Sequence, residues 1–152
     1  MIRLTKFSDY GIVLMTHFAS RPLNASHKAP ELALETGLPL PMVSKVLKAL
    51  AKQRLLVSHR GVKGGYSLAK PPRQITVRDI IGALEGPIAI TECIEHESPD
   101  CNIEQLCPVR SNWVRINQAV EQALDGITLE DMAQPLAETT FVKFSSGVRA
   151  PH

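Results

Sequence analysis

Aromatic residues are scarce in this chain of 152 residues, at 5% of the sequence with one Trp and two Tyr, and cysteine is scarcer, with three. Three thiols cannot all pair within one chain, so a disulfide framework is not what stabilises the fold. No run of about eighteen apolar residues occurs, which argues against a membrane-spanning helix. The opening MIRLTKFSDYG carries charge where a signal peptide would need an apolar stretch. The chain is therefore expected in the cytoplasm, away from membranes, with its thiols reduced. Gly-Lys-Ser and Gly-Lys-Thr are also missing, and strand-forming residues follow the glycines of RGVKGGYS, so a phosphate-binding loop is not expected there. Neither a nucleotide fingerprint nor an acid–base set is found, so no enzyme activity and no small-molecule substrate is expected.

Acidic residues are nearly missing from the first half. Residues 1–75 hold three Asp or Glu against twelve Lys or Arg, whereas residues 76–152 hold twelve against five. The net charge of +2 hides this division. A basic half suits a polyanion, because neutralising phosphates releases counterions and supplies most non-specific nucleic-acid affinity. A solvated basic face would give the same count, so the order of elements has to decide between them.

Leu4, Phe7, Tyr10, Leu14 and Phe18 recur at three and four, which predicts an amphipathic first helix ended by Pro22 and Asn24. Gly11 inside it fits either close packing or simple tolerance of a glycine there. A short helix over 30–36, a turn at Gly37 to Pro39 and a helix over 41–53 follow, the last with Met42, Val46, Leu47 and Leu50 as its buried stripe. Two helices joined by a short turn make a helix-turn-helix. The other face of the second helix carries Ser44, Lys45, Lys48 and Lys52, side chains able to reach base edges and phosphates in a major groove. Next come a strand over 56–59, a glycine-rich turn over 61–65 and a strand over 66–68, a hairpin whose tip holds Arg60 and Lys63. A basic hairpin in this place reads as a wing, whose cations can enter a minor groove or clamp phosphate.

PPRQ reads as a linker to a further helix capped by Thr76, with Asp79 in its first turn, Ile80, Ile81 and Leu84 facing inward, and Gly86 and Pro87 stopping it. Pro108 opens a long helix with Trp113, Ile116, Val120 and Leu124 as its stripe, ended by Gly126. Such a helix needs a surface to cover that stripe. The same helix of a second subunit would supply one, giving a homodimer that reads a palindromic site on double-stranded DNA; the alternative is that the helix folds back on its own domain. The expected fold is mainly α: a winged helix-turn-helix core over 1–75, a helix and cysteine loop over 76–107, a dimerisation helix and its following segment over 108–133, and a tail over 134–152 disordered at its end.

All three cysteines lie within fifteen residues, as Cys93-x7-Cys101-x5-Cys107, with Pro108 directly after the last. Zinc knuckles usually take ligands two to four residues apart, and no C-x2-C occurs. Wider intervals, and a cysteine followed by proline, suit an iron–sulfur cluster, with 2Fe-2S and 4Fe-4S both open. Zinc and simple thiol redox chemistry stand behind it as alternatives.

Taken together, RLTKFSDYGIVLMTHFA, ETGLPLPMVSKVLKALAKQRLLVSHRGVKGGYSLAK, ITVRDIIGALEG, the three-cysteine loop and GITLEDMA resemble the IscR/NsrR-type family of winged-helix transcriptional regulators over residues 1–133. SDYGIVLMTH is most similar to the branch that regulates the SUF iron–sulfur assembly operon. The resemblance implies a homodimeric DNA-binding repressor whose promoter affinity follows the state of a cluster on Cys93, Cys101 and Cys107. It implies DNA contacts from Ser44 and Lys45 on the recognition helix and from Arg60 on the wing. Where some relatives carry a fourth ligand three residues after the last cysteine, this chain has Arg110, which cannot serve. Other relatives use an acid of the first helix supplied by the partner subunit, a position that Asp9 matches here; His96 is the alternative. A nitric-oxide or redox-sensing regulator of other operons is the neighbouring reading.

Overall fold

A computed structural model describes residues 3–91, 94 and 107–134. The expected tail disorder, Cys93, Cys101 and His96 lie outside the described residues. Among the described residues no helix is long and apolar enough to cross a membrane.

Helix α1 runs Lys6–Ala19, α2 Ala29–Thr36 and α3 Leu40–Lys52. Strands β1 (Leu56–His59) and β2 (Gly65–Leu68) pair antiparallel, with Leu56 opposite Leu68 and His59 opposite Gly65. A 3-10 turn, Pro72–Gln74, leads to α4 (Val77–Glu85), α5 (Arg110–Asp125) and α6 (Leu129–Ala133). This is a winged helix-turn-helix, mainly helical with one two-stranded hairpin, as the sequence predicts.

The core collects one stripe from each element. Leu14, Met15 and Phe18 of α1 meet Leu32 of α2, and Val43, Val46, Leu47 and Leu50 of α3, all fully or almost fully buried. Each such side chain contributes about 1.5–3 kcal/mol of burial. Gly11 is buried where α1 crosses α4, and a Cβ there would run into the Leu84 side chain, so the glycine does mark a close approach. Leu4 departs from the expected stripe: the helix begins at Lys6, capped by the Thr5 side chain, and Leu4 is left exposed ahead of it.

Helix α3 ends in a Schellman motif. The Arg54 N–H donates to Ala51 O and the Leu55 N–H to Leu50 O, with Leu55 and Leu50 both buried. Arg54 takes the left-handed position this motif requires, at φ 61°, where glycine is the usual residue. Arg54→Gly is therefore expected to raise stability by about 1 kcal/mol. Urea denaturation would read this as a higher midpoint at unchanged slope, and an unchanged or lower midpoint would contradict it.

Helix α4 starts with a capping box, in which the Asp79 N–H donates to Thr76 Oγ1 (3.1 Å) and the Thr76 N–H to Asp79 Oδ2 (3.0 Å). Thr128 and Asp131 build the same device at α6. Backbone bonds from Val77 to Ile127 and from Leu129 to Ile75 then bring α6 back onto α1 and the 3-10 turn, where Leu129 is fully buried in the main core.

Helix α5 packs on α4 in a different phase from the one its apolar residues suggest. It starts at Arg110 rather than Pro108, and Ile116 is 44% exposed. Trp113, Val120 and Leu124 are half-buried, and the residue that turns fully inward is Asn117. Its amide donates to Ile88 O (2.9 Å) and Glu121 Oε1 (2.8 Å) and accepts from the Ile90 N–H (3.0 Å). Asn117 thereby satisfies a backbone segment that no helix or sheet serves.

Candidate nucleic-acid interface

The recognition helix presents its polar face because its apolar residues are committed to the core. Val43, Val46, Leu47 and Leu50 face inward, which turns Lys45, Lys48 and Lys52 to solvent and leaves Ser44 half-buried beside them. Lys45 is not loose: its Nζ lies 5.3 Å from the centre of the Phe7 ring, so α1 holds the first cation of the face by a cation–π contact.

The wing continues the same charge. Arg60 and Lys63 are exposed on either side of Gly61 and Val62, and the Gly64 N–H closes the turn onto Gly61 O at 2.9 Å. Among the described residues, Lys45, Lys48, Lys52, Arg60 and Lys63 take part in no ion pair; the pairs present are His17–Glu35, Arg21–Glu35 and Arg78–Glu121. The fold thus gathers five cations on the helix and the wing, and among the described residues no carboxylate neutralises them.

Sequence reasoning passed over Val62, which is 93% exposed at the wing tip between the two cations. The signal was available, because a branched apolar residue is unusual at a hairpin tip.

The bases of the wing and of α1 are built to stay fixed. His59 Nε2 and Ser67 Oγ lie 2.8 Å apart across the hairpin. At the start of α1, Glu85 from the end of α4 accepts from Thr5 Oγ1 (2.6 Å), the Thr5 N–H (3.3 Å) and Ser8 Oγ. These bonds, with Ser8 first and Thr5 second, hold the Glu85 carboxyl below the usual carboxylate range. A carboxylate at this end also suits the helix dipole of α1. None of this network could be read locally, since its two halves lie at opposite ends of the core sequence.

Asp9 follows Ser8 in the first turn, exposed, and among the described residues its carboxylate takes no hydrogen bond or ion pair. Cys107, the one expected thiolate among the described residues, is half-buried just ahead of α5. His17 of α1 bonds to Glu35 at 2.6 Å, and Arg21 joins the same carboxylate at 2.8 Å. Among the described residues no group of three His, Cys, Asp or Glu side chains converges on a metal position.

Comparison with known proteins places this architecture. Residues 4–135 match the family model Rrf2, described as an iron-dependent transcriptional regulator. The chain is 35% identical over 132 residues to the HTH-type transcriptional regulator CymR of Bacillus subtilis, covering 87% of this chain and 90% of that protein. The solved structure of B. subtilis CymR, described as the global cysteine regulator of that organism, superposes with a TM-score of 0.69 at 33% identity, over 88% of this chain and 97% of the other. The IscR structure from T. potens gives 0.66 at 30% identity, over 86% and 85%. The HTH-type regulator NsrR of Halalkalibacterium halodurans is 25% identical over 131 residues, covering 86% of this chain and 90% of that protein. These relatives regulate transcription and are not enzymes, in line with the absence of an acid–base set. With its wing, its recognition helix and nearly its whole length matched, the chain belongs to the Rrf2 family of transcriptional regulators.

Proposed function

We propose that the protein is a homodimeric repressor that binds a palindromic promoter site through α3 and the wing, and that its affinity is set by an iron–sulfur cluster. Ser44 and Lys45 meet bases and phosphates in the major groove, Lys48 and Lys63 clamp phosphate, and Arg60 enters the minor groove. The observation that carries the DNA reading is the row of exposed, unneutralised cations on the helix and wing. Binding of this kind is favoured by cations that carboxylates have not already neutralised, because such cations carry their full charge to the phosphates and release the counterions there.

Cys93, Cys101 and Cys107 would hold the cluster, with Asp9 of a partner subunit as the fourth ligand. Support comes from the wide cysteine spacing, from the iron-dependent description of the family model, and from the chemistry of the two described donors. Cys107 is a thiol partly open to a ligand, and Asp9 is a carboxylate without a partner among the described residues. A bound cluster supplies redox and nitric-oxide chemistry and a set of bonds that can be lost. Asp9, one turn from the Glu85 anchor, would transmit that loss to the rigid head by way of α1. The genes proposed as targets are those of SUF-type iron–sulfur assembly, on the similarity of SDYGIVLMTH to that branch.

Anaerobic purification with iron and acid-labile sulfide analysis, alongside a Mössbauer spectrum, tests this reading. Stoichiometric iron and sulfide are expected, with the spectrum distinguishing 2Fe-2S from 4Fe-4S. Protein that stays colourless, with zinc or no metal even after anaerobic reconstitution, would remove the cluster while leaving the DNA interface in place. A second reading is favoured by the 35% identity to CymR. On that reading the protein is a cysteine regulator and its thiols carry no cluster. Replacing all three cysteines by serine would then leave promoter affinity unchanged.

A further inference from the structure

His27 is a polar side chain that the fold buries without giving it a partner. It is 8% exposed, and its Nε2 takes no hydrogen bond among the described residues. Buried polar atoms are almost always satisfied, so a lone exception calls for a reason. The ring stands edge-on to Phe18, with centroids 5.4 Å apart, and to His17 at 6.4 Å. It therefore sits in the angle between α1 and the start of α2, with Phe18 and His17 against it.

The backbone of the same residue is tied to the wing. The His27 N–H donates to Tyr66 O at 2.9 Å and the Tyr66 N–H donates to His27 O at 2.8 Å, an isolated bridge outside the hairpin itself. Gly65 comes so close that a Cβ on it would stand 2.6 Å from His27 O. Residue 27 is thus held by its ring on the helical side and by its peptide on the wing side. Ejecting the ring removes one of these two attachments and leaves the peptide bridge to hold the wing by itself.

A proton on the ring favours release, because a buried imidazolium with a donor left unsatisfied is costly. The charged groups facing it are Arg21, from the turn after α1, and His17, from α1, both opposing protonation, and Glu31 and Glu35 of α2, which favour it. Glu35 is already engaged by His17 and Arg21. From β2, Tyr66 meets the residue through its backbone. Burial is the largest influence and makes the imidazole less basic than usual, with Arg21 and His17 acting the same way.

We propose that His27 is a proton-operated latch between the helix-turn-helix and the wing, so that acidification releases the wing and weakens DNA binding independently of anything the cysteines hold. The proposal rests on the DNA reading given above. Because the folded protein resists protonating this base, the latched state is complete above the ordinary histidine value of about 6.5 and is lost as pH falls below it. One linked proton sets the limit on the response, about tenfold in affinity per pH unit.

The test uses the full-length protein and a duplex of 30 base pairs selected from a random library by the wild type at pH 7.5. Two quantities are followed from pH 8 to pH 5: the affinity for that duplex, and the NMR shifts of the His27 ring together with amide-exchange protection at Tyr66. The expected result is a joint transition below the ordinary histidine range, with affinity falling up to tenfold per pH unit. His27→Val, which keeps an extended apolar residue at the bridge, should flatten the affinity profile, whereas His17→Gln should keep it. A profile that persists in His27→Val overturns the latch. If that variant fails to fold, the wild-type ring decides: a ring that titrates without any loss of Tyr66 protection overturns it equally. A protein that binds no duplex at any pH refutes the DNA reading, and the joint behaviour of ring and Tyr66 amide still decides the latch.

Discussion

Gly65→Ala is expected to destabilise the protein by about 3–5 kcal/mol and to abolish DNA binding with it. Two independent costs add at this position. Its φ of 146° is one that side chains with a Cβ rarely adopt. The new Cβ would also stand 2.6 Å from His27 O and 2.8 Å from His27 C, and these are backbone atoms that can yield only by breaking the bridge to Tyr66. Gly37 supplies the milder contrast, since its φ of 70° is the ordinary left-handed position and nothing lies within 4 Å of a built Cβ. Gly37→Ala should therefore cost only about 1–2 kcal/mol, the left-handed penalty alone. At about 2–4 °C per kcal/mol for a chain of this size, calorimetry would separate a shift of roughly 10 °C at Gly65 from a few degrees at Gly37. Equal shifts at the two glycines would mean that the bridge to His27 is not what seats the wing.

That contrast shows which parts of the molecule could be read in advance. The sequence spacing marks α3 and the hairpin because their signals are local: apolar residues at three and four, then glycines between two short apolar runs. The long C-terminal helix is marked equally well, yet its inward face is not. Trp113, Val120 and Leu124 fit a helical stripe with either residue 116 or 117 between them, and apolarity favours Ile116. The backbone of Ile88 and Ile90 decides for Asn117, because those groups need a donor and an acceptor that isoleucine lacks. His27 is hidden for the same reason. Nothing in NASHKAP announces burial, which comes from α1 and from the far strand of the wing.

The candidate interface was legible to a different degree. The exposed face of α3 follows from its buried face by geometry, so Lys45, Lys48 and Lys52 could be placed without a structure. What the sequence could not supply is their lack of ion pairs, because fifteen acidic residues were available to neutralise them. In the fold, the acids of the described ion pairs serve other cations: Glu35 serves His17 and Arg21, and Glu121 serves Arg78. Glu85 is likewise engaged at the head of α1.

Replacing Lys45, Lys48, Arg60 and Lys63 together by alanine is expected to lower affinity for the selected duplex by about a factor of 10²–10⁴ at physiological salt. The same variant should fold almost as stably as the wild type. All four side chains are exposed and none is paired, so the loss is confined to about 0.5–1 kcal/mol for the contact of Lys45 with Phe7. Salt dependence is the more diagnostic reading. If the four cations meet phosphate, the slope of log affinity against log salt should fall in magnitude by about one for each contact removed per protomer. Ser44→Ala supplies the contrast, because a hydroxyl at a base edge alters sequence preference and leaves the slope unchanged. A quadruple variant with wild-type slope and affinity would show that the positive face of α3 and the wing serves solubility, and the proposed DNA interface would have to move elsewhere on the chain.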